Sequence, residues 1–331
     1  MNKKNGYVAL CYHYIRPEKK EKPFRRILGN SIDEFYKHIK LLKSNYQVLS
    51  PDEVLNFSYD GFSLIGDKYG LFISFDDGLS DHYHIASILA ENDIKALFFI
   101  PTCILIDLMP ANPTIIHYCL ARYGIDGFLK AYRHALEEFH LTHTKYILPY
   151  KKDSDDPWET IAKIKYIFKY GLSYKNTRRV LLYIHKNLLL RDYPQALEIM
   201  HLTKEQISEM LRMGHSIGAH SHSHISVAAT NLDNENFRKE ILKPKEYLEK
   251  SFNVPIVAFS YPFGEKQDCL FSEELINQTK AYKLVFTVEK ILNTKETNPL
   301  ELGRYMPMST DSEIKLDKIV KTIIDGEGIL V

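Results

Sequence analysis

Short apolar runs alternate with stretches of helical period along most of the chain. Residues 8–11 (VALC), 47–49 (QVL), 71–75 (LFISF), 96–100 (ALFFI), 216–219 (SIGA), 256–259 (IVAF) and 284–288 (LVFTV) each read as a strand. Runs with little polar alternation suit a parallel sheet covered on both faces. Between them, Ile32, Phe35, Tyr36, Ile39 and Leu42 recur at the helical period. The signals that start helices are present too. Ser31 and Glu34 have the spacing of a capping box, as do Thr203 and Gln206, while Pro51 follows Ser50 at a first helical position. Leu202 and Ile207 are spaced as a hydrophobic staple, and Gly214 is placed to end that helix. A helix over 234–250 is interrupted near Pro244. From 103 to 201 the rhythm changes: helical patterns at 115–122, 128–140, 158–170 and 177–190 follow one another with no strong strand between them. The pattern predicts an α/β fold over 1–331, a distorted (β/α)7-type barrel with a helical insertion at 103–201.

Composition narrows the function. The chain has 331 residues, 45% of them hydrophobic, and a net charge of +1, so nothing in the overall balance points to nucleic acid. Cys11, Cys103, Cys119 and Cys269 form no CxxC pair and read as buried thiols. No run of about 18 apolar residues suggests a membrane span, and the first residues lack the apolar core of a secretory signal. A cytoplasmic protein is expected. Between 145 and 191 stand eleven Lys or Arg against four Asp or Glu. These are either solvated helix faces or a basic lid that meets a phosphate-bearing substrate or an anionic membrane surface.

The chemistry gathers at strand ends. His220-Ser221-His222-Ser223-His224 follows one strand, and Asp76-Asp77-Gly78 follows another. If the first stretch is a helical turn, His220 and His224 lie on one face. A carboxylate would then complete a three-ligand site with an open position. Asp-Asp-Gly alone is an ordinary turn sequence. Its position changes its weight, because His13, Asp76, Asp77, His220, His224 and Pro262 all fall just past the C-terminal ends of predicted strands, the face on which such barrels place their chemistry. Two imidazoles and one carboxylate from Asp77 suit zinc, or cobalt or nickel, better than magnesium or calcium. Asp76 beside them is the candidate general base.

These motifs resemble those of the polysaccharide deacetylase family, also called the NodB-homology or carbohydrate esterase family 4 fold. Ser74-Phe75-Asp76-Asp77-Gly78 is similar to its TFDDG-like motif, and His220 to His224 to its H-[ST]-x-x-H motif. The opening Tyr12-His13 is similar to a YH segment in one branch, and Phe259 to Gly264 to that branch's FxYPxG. The resemblance implies that Asp76 is the base and that Asp77, His220 and His224 hold a divalent metal. The arginine usual in the family's third motif is missing, and Arg304 is proposed to replace it beside Asp76. The family's C-terminal histidine acid is missing too, which leaves His222, His13 and Glu289 as candidate proton donors. Tyr12, Tyr14, Tyr261, Pro262 and Phe263 are candidate sugar contacts. The implied activity is N-deacetylation of an amino-sugar precursor of a surface polysaccharide or lipopolysaccharide, carried on a nucleotide or a lipid phosphate, with no membrane span but with peripheral contact possible. N-deformylation, a non-catalytic carbohydrate-binding role and hydrolysis of a non-sugar amide are the alternatives.

Overall fold

The structure, a computed structural model, describes residues 5–16, 24, 27–59, 64, 68–143, 146–149, 155–230, 232–270 and 280–326. Its strands are β1 (Gly6–Tyr12), β2 (Ile15–Arg16), β3 (Asn30–Ser31), β4 (Gln47–Leu49), β5 (Gly70–Phe75), β6 (Leu97–Ile100), β7 (Ser216–Ala219), β8 (Ala258–Ser260), β9 (Leu284–Phe286) and β10 (Asn293–Thr294). The main sheet runs β10-β1-β5-β6-β7-β8-β9, with β4 also paired to β5; β2 and β3 form a separate pair. All pairings in the main sheet are parallel except β1 with β10. The sheet curls until the segment 302–305 joins its two ends. Leu302 bridges Phe286 of β9, and Tyr305 bridges Leu10 of β1. The expected distorted parallel α/β barrel is therefore present, with eight strands in its sheet instead of seven, because β10 is too short and polar to read as a strand.

Side chains alternate across each strand. Val8, Leu10 and Tyr12 of β1, Leu71, Ile73 and Phe75 of β5, and Phe98 and Ile100 of β6 pack under the surrounding helices. Tyr7, Ala9, Phe72, Phe99, Ala258, Leu284, Phe286 and Leu302 form a second cluster, inside the curl, which Val54 and Phe57 of the helix Pro51–Tyr59 also join. Burial on both faces is why the strands carry little polar alternation. Gly218 of β7 lies on the inner face, where a Cβ would come within 2.6 Å of the Phe99 ring.

The caps form as their residue types require. Ser31 with Glu34, and Thr203 with Gln206, make reciprocal capping boxes at the helices Ile32–Asn45 and Lys204–Arg212. Gly214, at φ +93°, follows the second helix. Pro244 sits in the first turn of the helix Lys243–Phe252, after a π-helical turn at Arg238–Leu242. Between β6 and β7 the described elements are helical, and those from Asn112 to Met200 share a core of their own that includes Ile115, Phe128, Tyr132, Val180 and Leu181. The patterns read at 115–122 and 128–140 are two helical stretches within Asn112–Glu138, broken at Gly124 (φ +68°, ψ −177°), whose freedom from a Cβ permits that conformation. Among the described residues, no helix is long and apolar enough to cross a membrane.

Several histidines are structural. His215 Nε2 bonds Ala86 O at 2.9 Å while Nδ1 accepts from Ala96 N at 3.1 Å, so the neutral ring satisfies both partners. His201 likewise donates from Nδ1 to Asp77 O and accepts at Nε2 from Ala111 N. Burial lowers His215, and it pushes His82 and His201 down to about 4. An unfolded histidine titrates near 6.5. Folding thus favours the neutral rings, and their contribution is intact above about pH 6.5 and is lost as pH falls toward 4. Each unit of depression is worth about 1.4 kcal/mol, so unfolding free energy from urea titrations should drop by on the order of several kcal/mol from pH 7 to pH 4.5. A flat profile over that window would contradict this account.

Candidate active site

The inner face of the barrel carries polar side chains at its C-terminal end. Ser74 and Asp76 continue the inward positions of β5, Ser260 ends β8, and Arg304 follows inward-facing Leu302 two residues on. Arg304 is 1% exposed and Asp76 3%. They form a two-pronged pair, Nη1 to Oδ1 and Nη2 to Oδ2, both 2.8 Å. Arg304 also donates from Nη1 to Ser74 Oγ (3.1 Å), from Nη2 to Ser260 Oγ (2.7 Å) and from Nε to Thr287 O (3.1 Å). All five guanidinium N–H groups are thereby used. Its carbon lies 5.4 Å from the Phe99 ring and 5.6 Å from Phe286, so its inner side rests on aromatic faces. Burial alone would raise the Asp76 pKa, but Arg304, and His220 after it, hold the carboxyl well below the usual range. Asp76 is a carboxylate, oriented and ionised.

Asp77 turns away from the strand with φ +77°, and His201 holds its carbonyl at 3.1 Å. Its Oδ1 lies 3.3 Å from His220 Nε2 and 3.0 Å from His224 Nε2. The residues 220–224 are not a helical turn. They form a bent loop in which Ser221 (φ +56°) and His224 (φ +59°) adopt left-handed conformations, and these turns bring the two rings to 4.8 Å between centroids. The expectation of helical stacking is corrected, because the loop is shaped by partners remote in sequence. Thr102 N, Cys103 N and Asn112 N bond the carbonyls of Ser221, His222 and Ser223. From the other side, fully buried Glu240 accepts from His222 N, Ser223 N, Ser223 Oγ and Tyr174 Oη.

The fit of a metal to this group rests on its donor atoms. His220 Nδ1 donates to Ser260 O at 2.8 Å, which leaves the Nε2 lone pair aimed at Asp77. Buried Asp77 Oδ1 and His220 Nε2 make no hydrogen bond among the described residues, although 3.3 Å separates them. Donor atoms bonded to one tetrahedral cation at about 2.0–2.2 Å are about 3.4 Å apart. Asp77, His220 and His224 therefore fit one divalent ion, and their N/O set suits zinc, cobalt or nickel.

A cleft of about 590 Å³ opens over this group, walled on one side by the helices between β6 and β7. His13, Tyr14, Asp76, Asp77, His224 and Phe263 line it. Phe263 packs edge-on against His224 at 4.8 Å, and Lys169, paired with Asp268 at 2.8 Å, sits 4.3 Å over the Phe263 ring. Other expected contacts are corrected. Tyr12 is fully buried, bonds His38 and stacks on Phe75 beneath a helix. Tyr261 packs on Phe259 in that outer layer, and Pro262 does not line the cleft. Period two accounts for Tyr12 and Tyr261: both continue outward-facing positions. His222 turns away and bonds Thr102 and Asp107, so among the candidate proton donors only His13 reaches the cleft; Glu289 does not line it. Sequence reasoning missed Ser74, Ser260, His117, His201 and Glu240. Period two on β5 and β8 offered a signal for the serines alone.

Residues 173–285 match the family model described as polysaccharide deacetylase. No curated protein matches the chain in sequence. Among solved structures it is similar to the Streptococcus pyogenes deacetylase PplD in complex with acetate (19% identity, TM-score 0.57, 96% of this chain and 99% of that one). It is also similar to IcaB from Ammonifex degensii (16%, 0.54, 96% and 97%) and to a de-N-acetylase from Aggregatibacter actinomycetemcomitans (15%, 0.55, 95% and 100%). Motifs, family model and fold agree, and the resemblance to the polysaccharide deacetylases, the NodB-homology family, is borne out.

Removing Arg304 would leave a buried carboxylate without its cation. Arg304→Ala is expected to cost about 3–5 kcal/mol of unfolding free energy at pH 7. Because the Asp76 pKa is depressed in the folded state, the wild-type contribution is present above about pH 4 and is lost as pH falls further. The gap between wild type and variant should therefore narrow toward pH 3 in denaturant titrations. A gap independent of pH would show that Arg304 acts through packing alone.

Proposed function

We propose that this protein is a metal-dependent N-deacetylase of an amino-sugar substrate. The observation that carries the reading is the convergence of Asp77, His220 and His224 beside an ionised, arginine-held Asp76 at the floor of a cleft. Asp77, His220 and His224 would hold a divalent cation, which when bound would lower the pKa of a water and polarise the acyl oxygen. Asp76 takes the proton from the attacking water. Arg304, Ser260 and Ser74 keep its carboxylate in one orientation and prevent its neutralisation by burial. Phe263 and Tyr14 flank the acyl sugar. His13, on the cleft wall with a ring nitrogen within 4.8 Å of an Asp76 oxygen, relays the proton that Asp76 has taken to the nitrogen of the leaving amine as the C–N bond breaks. The substrate carries its amino sugar on a nucleotide or lipid phosphate, as precursors of surface polysaccharide or lipopolysaccharide do, and the basic helical segment between β6 and β7 favours such an anionic group. Formyl in place of acetyl differs by one methyl group, a difference worth only about 1–3 kcal/mol in a pocket.

Incubation of zinc-loaded protein with N-acylated nucleotide sugars and lipid-phosphate sugars, read by mass spectrometry, should show loss of the acyl group. Asp77→Ala and His220→Ala should lose stoichiometric metal by elemental analysis together with activity. His13→Ala should lower kcat on the amide by about 10²–10⁴-fold. It should have little effect on an aryl acetate, whose leaving group needs no proton. Equal losses on both substrates would remove His13 from the role of proton donor, and full amide activity in Arg304→Ala would remove Arg304 from that of supporting the base.

A further inference from the structure

The cleft beside the ligand group has walls of unusual chemistry for a sugar site. On the helical side stand Ile116, Phe168 and Leu172. At the rim, Leu28, Met306 and Met308 are 57%, 41% and 51% exposed, so an apolar strip runs from the cleft to the surface. The rim is drawn together from two parts of the chain, with Asn30 Nδ2 bonded to Met308 O at 3.1 Å. A polysaccharide crossing this rim would lose water from its hydroxyl groups and find no partner in thioether or leucine side chains. The same wall holds one lysine, Lys165, that no described carboxylate pairs with, unlike Lys169 and Lys163, which are paired to Asp268 and Glu159. Burial, and the nearby Lys165 ammonium after it, push the cleft-lining His117 down to about 3, so that ring is neutral and adds no competing cation.

We infer that the substrate is amphiphilic: an N-acyl amino sugar joined through a phosphate to a hydrocarbon chain, with the chain lying along Ile116, Phe168 and Leu172 and leaving over Leu28, Met306 and Met308, and the phosphate facing Lys165. This rests on the deacetylase reading and narrows it from a nucleotide or lipid carrier to the lipid one. The apolar strip and the Lys165 ammonium are complementary to the two halves of such a carrier and to neither a neutral polymer nor a nucleotide base. Each buried methylene raises affinity about fourfold, so three or four of them are worth on the order of 100-fold.

Calorimetric titration of the zinc-loaded full chain with dodecyl phosphate, below its micelle concentration, and with ethyl phosphate tests this. Both probes can reach the metal equally, so their difference reads the cleft. Dodecyl phosphate is expected to bind about 100-fold more tightly than ethyl phosphate. Combined Leu28→Ser and Met308→Ser should remove about tenfold of that advantage without changing ethyl phosphate binding. Lys165→Met should weaken both phosphates several-fold. Equal affinity for the two probes would overturn the inference. So would a dodecyl advantage untouched by the rim variants, which would be detergent adsorption elsewhere. Binding to phosphatidylcholine vesicles with no preference for dodecyl phosphate would mark the rim as a membrane-contact face and also overturn it. Probe binding does not depend on amide hydrolysis, so a cleft that binds as described in a protein that cleaves no N-acyl sugar would count against the deacetylase reading alone.

Discussion

A buried ion pair inside a barrel is the constraint on which the site depends. Asp76 and Arg304 lie deep enough that either charge alone would be costly to bury. Their two-pronged contact, the three further bonds of Arg304 and its seat on Phe99 and Phe286 make the pair tolerable. The pair also ties the architecture together. Asp76 follows β5, Ser260 ends β8, and Arg304 rides on the segment that joins β9 to β1. Closing the curl and orienting the candidate base are thus one structural event.

Around that pair the chain accepts unfavourable backbone. Asp77, Ser221, His224 and Phe263 all have positive φ, which costs a residue with a Cβ on the order of 1–3 kcal/mol. The surroundings hold each of them. His201 grips the carbonyl of Asp77, Glu240 and the start of the helical segment grip the histidine loop from opposite sides, and Val288 N bonds the carbonyl of Gly264 after Phe263. Glu240 touches none of the donor atoms, yet its carboxylate takes two main-chain N–H groups of the loop that presents them. It lies in a π-helical turn, the kind of local irregularity often found near functional sites.

The helical segment between β6 and β7 gives this barrel its particular cleft. It has its own core, and it presents Ile116, His117, Lys165, Phe168 and Leu172 to the space above the donor atoms. The barrel supplies the reactive groups; the segment decides what kind of molecule can approach them.

Much of this was legible in the residues. Apolar runs located the strands, capping residues located the helix starts, and the Asp-Asp-Gly and histidine motifs marked where the polar groups would gather. These signals are local, carried by the period of a strand or the spacing of a cap, so a linear reading recovers them. The shape of the histidine loop was not legible, because Glu240, Thr102 and Cys103 impose left-handed turns that no residue within it demands. Nor was the direction of His222, which follows from that loop and its bonds to Thr102 and Asp107, whereas the outward turn of Tyr12 and Tyr261 was available from strand alternation. Arg304 was nameable as a candidate because the family's third motif lacks its arginine in this chain. Its place beside Asp76 came only with closure of the barrel, since side chains distant in sequence share a layer only when the sheet brings their strands round to face one another.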